Sequence, residues 1–164
     1  MTPTGDERDP APSSGEGPGP GQGIRTAAWY GTAAFAVTAV TATVVDGLDP
    51  VAFVVDVVLF LAGGVAFVAA YLRAVNRSRT DSIAVTSLFF LAGSAPPGVR
   101  RSLLGALAAQ VVVALATAIA RPYTILAAGT LVPLYGVGLC GMWAARHGTF
   151  PPRAPGEESR RDPG

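Results

Sequence analysis

The sequence predicts an all-α bundle of four transmembrane helices, with a short extra helix on the cytoplasmic side. Two observations lead there. Four continuous apolar stretches each run to about twenty residues, the length a helix rising about 1.5 Å per residue needs to cross about 30 Å of hydrocarbon. The cations are also lopsided: all twelve basic residues are arginines, and nearly all lie on one side of those stretches. Half the chain is apolar, only 14% is charged, and the small number of aromatics does not suggest one soluble core. The apolar runs are continuous rather than alternating, which selects helices over a β-barrel.

Taken in order, residues 1–24 hold proline, glycine, serine and acids with almost nothing apolar. Such a segment cannot bury enough surface to offset its chain entropy, so a disordered tail is expected. Residues 25–148 form the transmembrane domain. The first span, 26–45, follows a long acidic leader and is too long for the core of a cleaved signal, so it reads as an anchor. Asp46-Gly47-Leu48-Asp49-Pro50 then turns the chain, with Asp49 expected to cap the second helix and Pro50 to take its first position. The second span covers 51–72.

The loop 73–101 contains a further apolar segment, 82–95. It is too short to cross easily, and Pro96-Pro97-Gly98 ends any helix. An interfacial or half-inserted helix is expected there, capped by Asp81 or Ser82 and tucked between span ends or facing a partner. The third span covers 102–120. Arg121 ends it, where a cation suits the helix dipole, and Pro122 should begin the fourth. That span, 124–143, carries Gly129, Gly136, Gly138 and Gly141, and Pro133 should kink it near the midplane. Residues 149–164 read as a second disordered tail.

The arginines set the direction. With the N-terminus in the cytoplasm, eleven of the twelve lie inside and only Arg121 lies outside. Cations near span ends resist translocation, so both termini are expected in the cytoplasm of a bacterial inner membrane. A fifth span at 82–95 would split the arginines evenly and destroy that asymmetry. The aromatics agree: Trp29, Tyr30, Tyr71 and Trp143 fall at cytoplasmic ends and Tyr123 at the outer end, where amphipathic rings favour the headgroup zone.

Few residues are equipped for chemistry. Asp56 is the one ionisable side chain within the four spans, about 8 Å below the outer boundary. A carboxylate there costs several kcal/mol unless paired, hydrated or protonated. Two readings follow: a proton or cation site on a transport path, or a structural group paired with Arg121 or with a partner subunit. A transport relay usually shows more than one such group, which favours structure or assembly. Gln110, near the middle of the third span, is expected to hydrogen-bond across helices; at about 10 Å from Asp56 in depth it should not touch it. Small residues at four-residue spacing (Ala34, Thr38, Ala42; Ala62, Ala66, Ala70; Gly105, Ala109) mark faces where helices approach closely.

Other classes are excluded. Gly136-Val137-Gly138-Leu139-Cys140-Gly141 spells a dinucleotide fingerprint, but that loop needs a strand before it and a soluble βαβ unit around it. Asp46 and Asp49 alone make a weak cation site. One histidine, His147, and one cysteine, Cys140, leave no nucleophile–base set, no disulfide and no metal or cofactor site. The net charge of +1 argues against nucleic acid as a partner. The stripe Arg73, Arg77, Arg79, Arg100 and Arg101 serves orientation beside anionic headgroups, or docks an acidic cytoplasmic partner.

The runs Arg121-Pro122-Tyr123 and Arg146-His147-Gly148-Thr149-Phe150-Pro151-Pro152-Arg153 resemble the C-terminal part of small actinobacterial integral membrane proteins with no assigned activity. The resemblance covers chiefly residues 82–153 and brings no catalytic motif. It implies an inner-membrane protein of a GC-rich bacterium, an origin that the absence of lysine suggests independently. The expected partners are the lipid bilayer and another membrane protein or a second copy. The expected function is a non-enzymatic accessory or assembly subunit of a membrane complex, with a small oligomeric transporter or channel using Asp56 as the alternative.

Overall fold

The computed structural model describes residues 19, 21–78, 84–122 and 124–151. Most of both tails, Tyr123, and the expected cap at Asp81 or Ser82 lie outside the described residues. The helices are α1 (Gln22–Val44), α2 (Asp49–Arg77), α3 (Val85–Phe89), α4 (Pro97–Ala120) and α5 (Pro133–His147), with a 3₁₀ segment, Ile125–Leu131, leading into α5. Four helical stretches are long and apolar enough to cross a membrane: α1, α2, α4, and the 3₁₀ segment with α5. No strand occurs among the described residues. The fold is the expected all-α arrangement of four long apolar helices plus a short one.

The helices alternate in direction. The largest core cluster joins the start of α1 (Ala28), the end of α2 (Ala70, Ala74), α3 (Leu88, Phe89), the start of α4 (Leu103, Ala106) and the end of α5 (Cys140, Trp143, Ala144). Arg25, Arg73, Arg77, Arg100, Arg101 and Arg146 therefore share one end of the bundle, and Arg121 stands at the other. A middle cluster of Phe35, Ala39, Leu59, Ala114 and Val132 and a smaller one of Ala42, Ala52 and Leu126 fill the rest.

The packing is inside-out relative to a soluble protein. Much of the buried set is alanine and glycine, while Val37, Val58, Val65, Val112 and Ile119 are among many large apolar side chains facing outward. Lipid solvates such residues as well as a core does, so close helix approach, rather than burial of bulk, holds the bundle together. The α2–α5 seam shows this. A Cβ on Gly63 would lie 2.5 Å from the backbone nitrogen of Tyr135, and one on Gly138 would collide with the Gly63 carbonyl. Gly141 opens the same face to Ala70 and to the Phe89 ring of α3, which stacks on Phe67 at 4.5 Å between centroids. The three glycines of the false nucleotide fingerprint are helix contacts inside α5.

Several boundaries differ from expectation. α1 starts at Gln22, so residues 22–24 belong to a helix rather than the tail. α4 starts at Pro97: a proline that stops a preceding helix serves equally as a first helical residue, where its missing N–H is no loss. At roughly 43 Å, α2 overshoots the hydrocarbon and carries Arg73 and Arg77 past it. Asp49 does not cap α2. Leu48 holds the cap position without a side-chain bond, and Asp49 lies in the first turn, where a carboxylate suits the dipole. Pro122 does not begin the fourth span, which starts at Ile125. The small-residue stripes are shifted too: Ala34 and Ala62 face outward, and the buried faces run through Ala28, Thr32, Phe35 and Ala39 in α1 and through Gly63, Ala66 and Ala70 in α2.

α3 tucks against α5 and the end of α2 through Leu88 and Phe89. The chain leaves it at Leu91, whose φ of 56° is one that L-residues avoid. Its side chain is fully buried, and that packing holds the turn in place.

Candidate functional site

The polar interior is organised around Gln110. Spacings of three and four residues place Leu103, Ala106, Gln110, Ala114 and Thr117 on one buried face of α4. The Gln110 side chain is fully enclosed. Its Nε2 donates to Thr32 Oγ1 on α1 at 2.8 Å, and its Oε1 accepts the Gly136 amide of α5 at 3.2 Å. Thr32 passes its own hydrogen to the Ala28 carbonyl at 2.8 Å. Gly136 is the fourth residue of α5, one turn past the Val132 cap. Gln110 thus ties the start of α5 to α4 and, through Thr32, to α1. Glycine is needed there, because a Cβ would stand 2.8 Å from the Gln110 oxygen. Beside it, the Tyr135 hydroxyl donates to the Ala27 carbonyl at 2.9 Å, and Gly31 leaves room for the ring.

Arg121 is engaged elsewhere than expected. Its Nη2 donates to the Thr43 carbonyl at 3.0 Å and to Asp46 Oδ1 at 3.3 Å. The first bond satisfies one of the open carbonyls at the end of α1. The second is a surface ion pair, with the Asp46 side chain 95% exposed. The anticipated pairing of Arg121 with Asp56 is not made: the C-terminal end of α4 adjoins that of α1, and Asp46 in the α1–α2 loop is in reach.

Asp56 lies on the inward face of α2 with Ala52, Leu59 and Gly63 and is 2% exposed. Its Oδ1 has no hydrogen-bond partner. Its Oδ2 lies against the 3₁₀ segment, where a Cβ added to Gly129 would come within 3.4 Å of it and 3.1 Å of the Phe35 ring. A carboxyl so enclosed by its own chain cannot receive a bond from a neighbouring subunit without the bundle opening.

The predicted kink at Pro133 takes a definite form. The backbone runs as 3₁₀ helix to Leu131, passes through Val132 and restarts as α-helix at Pro133. Mid-span 3₁₀ stretches often mark hinges. Asp56 and Gln110 do not stand together in one site: the first abuts the 3₁₀ segment, the second the start of α5.

At the arginine-rich end, Trp29, Tyr30 and Tyr71 are exposed as interfacial anchors would be, and Trp29 Nε1 donates to Ser102 Oγ at 3.1 Å. Trp143 departs from that pattern. It is 2% exposed, belongs to the core, and with Arg25, His147, Ser94 and Thr149 lines a cavity of about 600 Å³. Among the described residues no three His, Cys, Asp or Glu side chains come together to hold a metal. Sequence reasoning missed Thr32, Tyr135 and Gly136 as polar partners. Only Gly136 had a signal, its place three residues after the proline that breaks the span. No family model, no curated protein and no solved structure matches the chain.

Proposed function

We propose that the chain is a non-enzymatic accessory or assembly subunit of a larger membrane complex in the inner membrane of a bacterium, with the arginine-rich end and both termini in the cytoplasm. The observation that carries this reading is the contrast between two adjacent glycines. Gly63 faces inward and is filled by α5. Gly64 faces away, and a Cβ there would meet nothing within 4 Å. It sits in a groove of about 480 Å³ lined by Phe60, Leu61, Val65, Val68 and Leu72 on the outer side of α2. Lipid chains gain nothing from a glycine, whereas another transmembrane helix can use it for close backbone approach. The scarcity of acid–base groups weighs against an enzyme, and the lysine-free composition supports an actinobacterial origin.

Purification in mild detergent, followed by mass spectrometry, tests this directly. A stoichiometric membrane partner, or a second copy, should accompany the wild-type chain. Gly64→Leu should lose it while the fold persists, since the added side chain has open space. Recovery of a monomer from both proteins would contradict the proposal.

A second reading, a small oligomeric transporter or channel, is favoured by one observation: an enclosed carboxyl beside a break in a spanning helix, where transporters place their ion sites. An ion-dependent flux in proteoliposomes that Asp56→Asn abolishes without unfolding the protein would decide for it.

A further inference from the structure

We propose that Asp56 is a proton-binding site, loaded and emptied from the outer side by movement of the 3₁₀ segment Ile125–Leu131. The proposal concerns the carboxyl itself and stands whether or not the chain has a partner. Its first support is burial without compensation: a side chain 2% exposed whose Oδ1 has no hydrogen-bond partner. Such a group inside a lipid-facing bundle is expensive to keep unless it acts.

The surroundings select the cation. A bound metal ion needs several oxygen ligands together; no three His, Cys, Asp or Glu side chains gather among the described residues, and Oδ2 lies beside Gly129, a residue with no side-chain oxygen to offer. A proton needs only one oxygen. Charged and titratable groups of the packed elements are placed elsewhere. Arg121 bonds to Asp46 and the Thr43 carbonyl. Asp49 lies at the start of α2, and Arg25 and Tyr30 near the opposite end of α1. The Tyr135 hydroxyl is given to the Ala27 carbonyl, Cys140 belongs to the cluster at the arginine-rich end, and Arg146 and His147 close α5 there. The 3₁₀ segment has no ionisable side chain.

The route follows from the break. Toward the outer loop from Asp56 lies the small cluster of Ala42, Ala52 and Leu126, with Leu48 against it. Leu126 belongs to the 3₁₀ segment, whose hydrogen bonds are of poorer geometry than those of an α-helix and which ends where Pro133 offers no N–H. Swinging that segment outward removes Leu126 and brings water to the carboxyl. The step is a simple exchange: the O–H bond of the acid breaks, its electron pair stays on Oδ, and the proton passes to outer water, or the reverse.

Infrared difference spectroscopy of the reconstituted full chain across a pH series, in sodium and then potassium buffer, tests the proposal. It expects a carboxylic C=O band that titrates, is lost in Asp56→Asn, and is unchanged when sodium replaces potassium. Asp56→Glu should shift the band rather than delete it, which keeps the test open if the Asn variant fails to fold. Leu126→Ala should speed hydrogen–deuterium exchange of the band. Wild-type, Asp56→Asn and Asp56→Glu spectra that titrate identically overturn the site, since the other ten Asp and Glu side chains then account for the whole signal. A band that moves between sodium and potassium makes it a metal-cation site instead. Unchanged exchange in Leu126→Ala overturns the route.

Discussion

At the scale of single residues, Gln110 ties α1, α4 and the start of α5 together. Its amide spans α1 and α5, and Gln110→Leu would remove two buried hydrogen bonds while leaving the Gly136 amide without that acceptor. Interhelical bonds of this kind contribute about 0.6–2 kcal/mol, and an orphaned buried donor costs about 1–3 kcal/mol. Gln110→Leu should therefore lower stability by about 1–3 kcal/mol, read as a lower melting temperature in detergent. Arg121→Ala should lower it by less than about 1 kcal/mol in the same assay, because the ion pair to Asp46 is exposed. Gln110 was legible in the sequence as the one amide within the spans, but its partner was not. Thr32, Thr38, Thr41 and Thr43 all back-bond to carbonyls of their own helix, and only the rotational phase of α1 singles out Thr32. Asp56 was legible for the same reason as Gln110. Its separation from Arg121 was not, because hydropathy does not reveal that the end of α4 adjoins the end of α1, which sets Asp46 against Arg121.

At the scale of helices, the seam between α2 and α5 is where substitution should be felt most. Gly63→Ala must push apart two backbones now in contact, and overpacking of that kind typically costs about 1–3 kcal/mol. Gly64→Ala, one residue on, meets open space and should be neutral or gain up to about 1 kcal/mol from helix propensity. Melting the two variants side by side checks this; equal destabilisation would mean the seam is misassigned. The spans themselves were legible, since hydropathy needs only composition and length. Their ends were not. α1 reaches back to Gln22 and α4 to Pro97 because helices continue past the hydrocarbon, where apolar content no longer marks them. The break at Pro133 is expected from the sequence as a kink, but its 3₁₀ approach, which sets Gly129 beside Phe35 and Asp56, is encoded by no local pattern.

At the scale of the molecule, the alternating helices place six described arginines at one end and Arg121 alone at the other. The outward route to Asp56, the cytoplasmic position of α3 and the side from which a partner would be met all depend on which end faces the cell interior. The most direct measurement is labelling of intact cells with a membrane-impermeant maleimide, using Asp46→Cys and Arg100→Cys proteins in which the buried Cys140 is replaced by alanine. Both positions are exposed at opposite ends of the bundle. The account predicts that Asp46→Cys is labelled in intact cells and Arg100→Cys only after permeabilisation. Labelling of Arg100→Cys from outside, with Asp46→Cys protected, would contradict it.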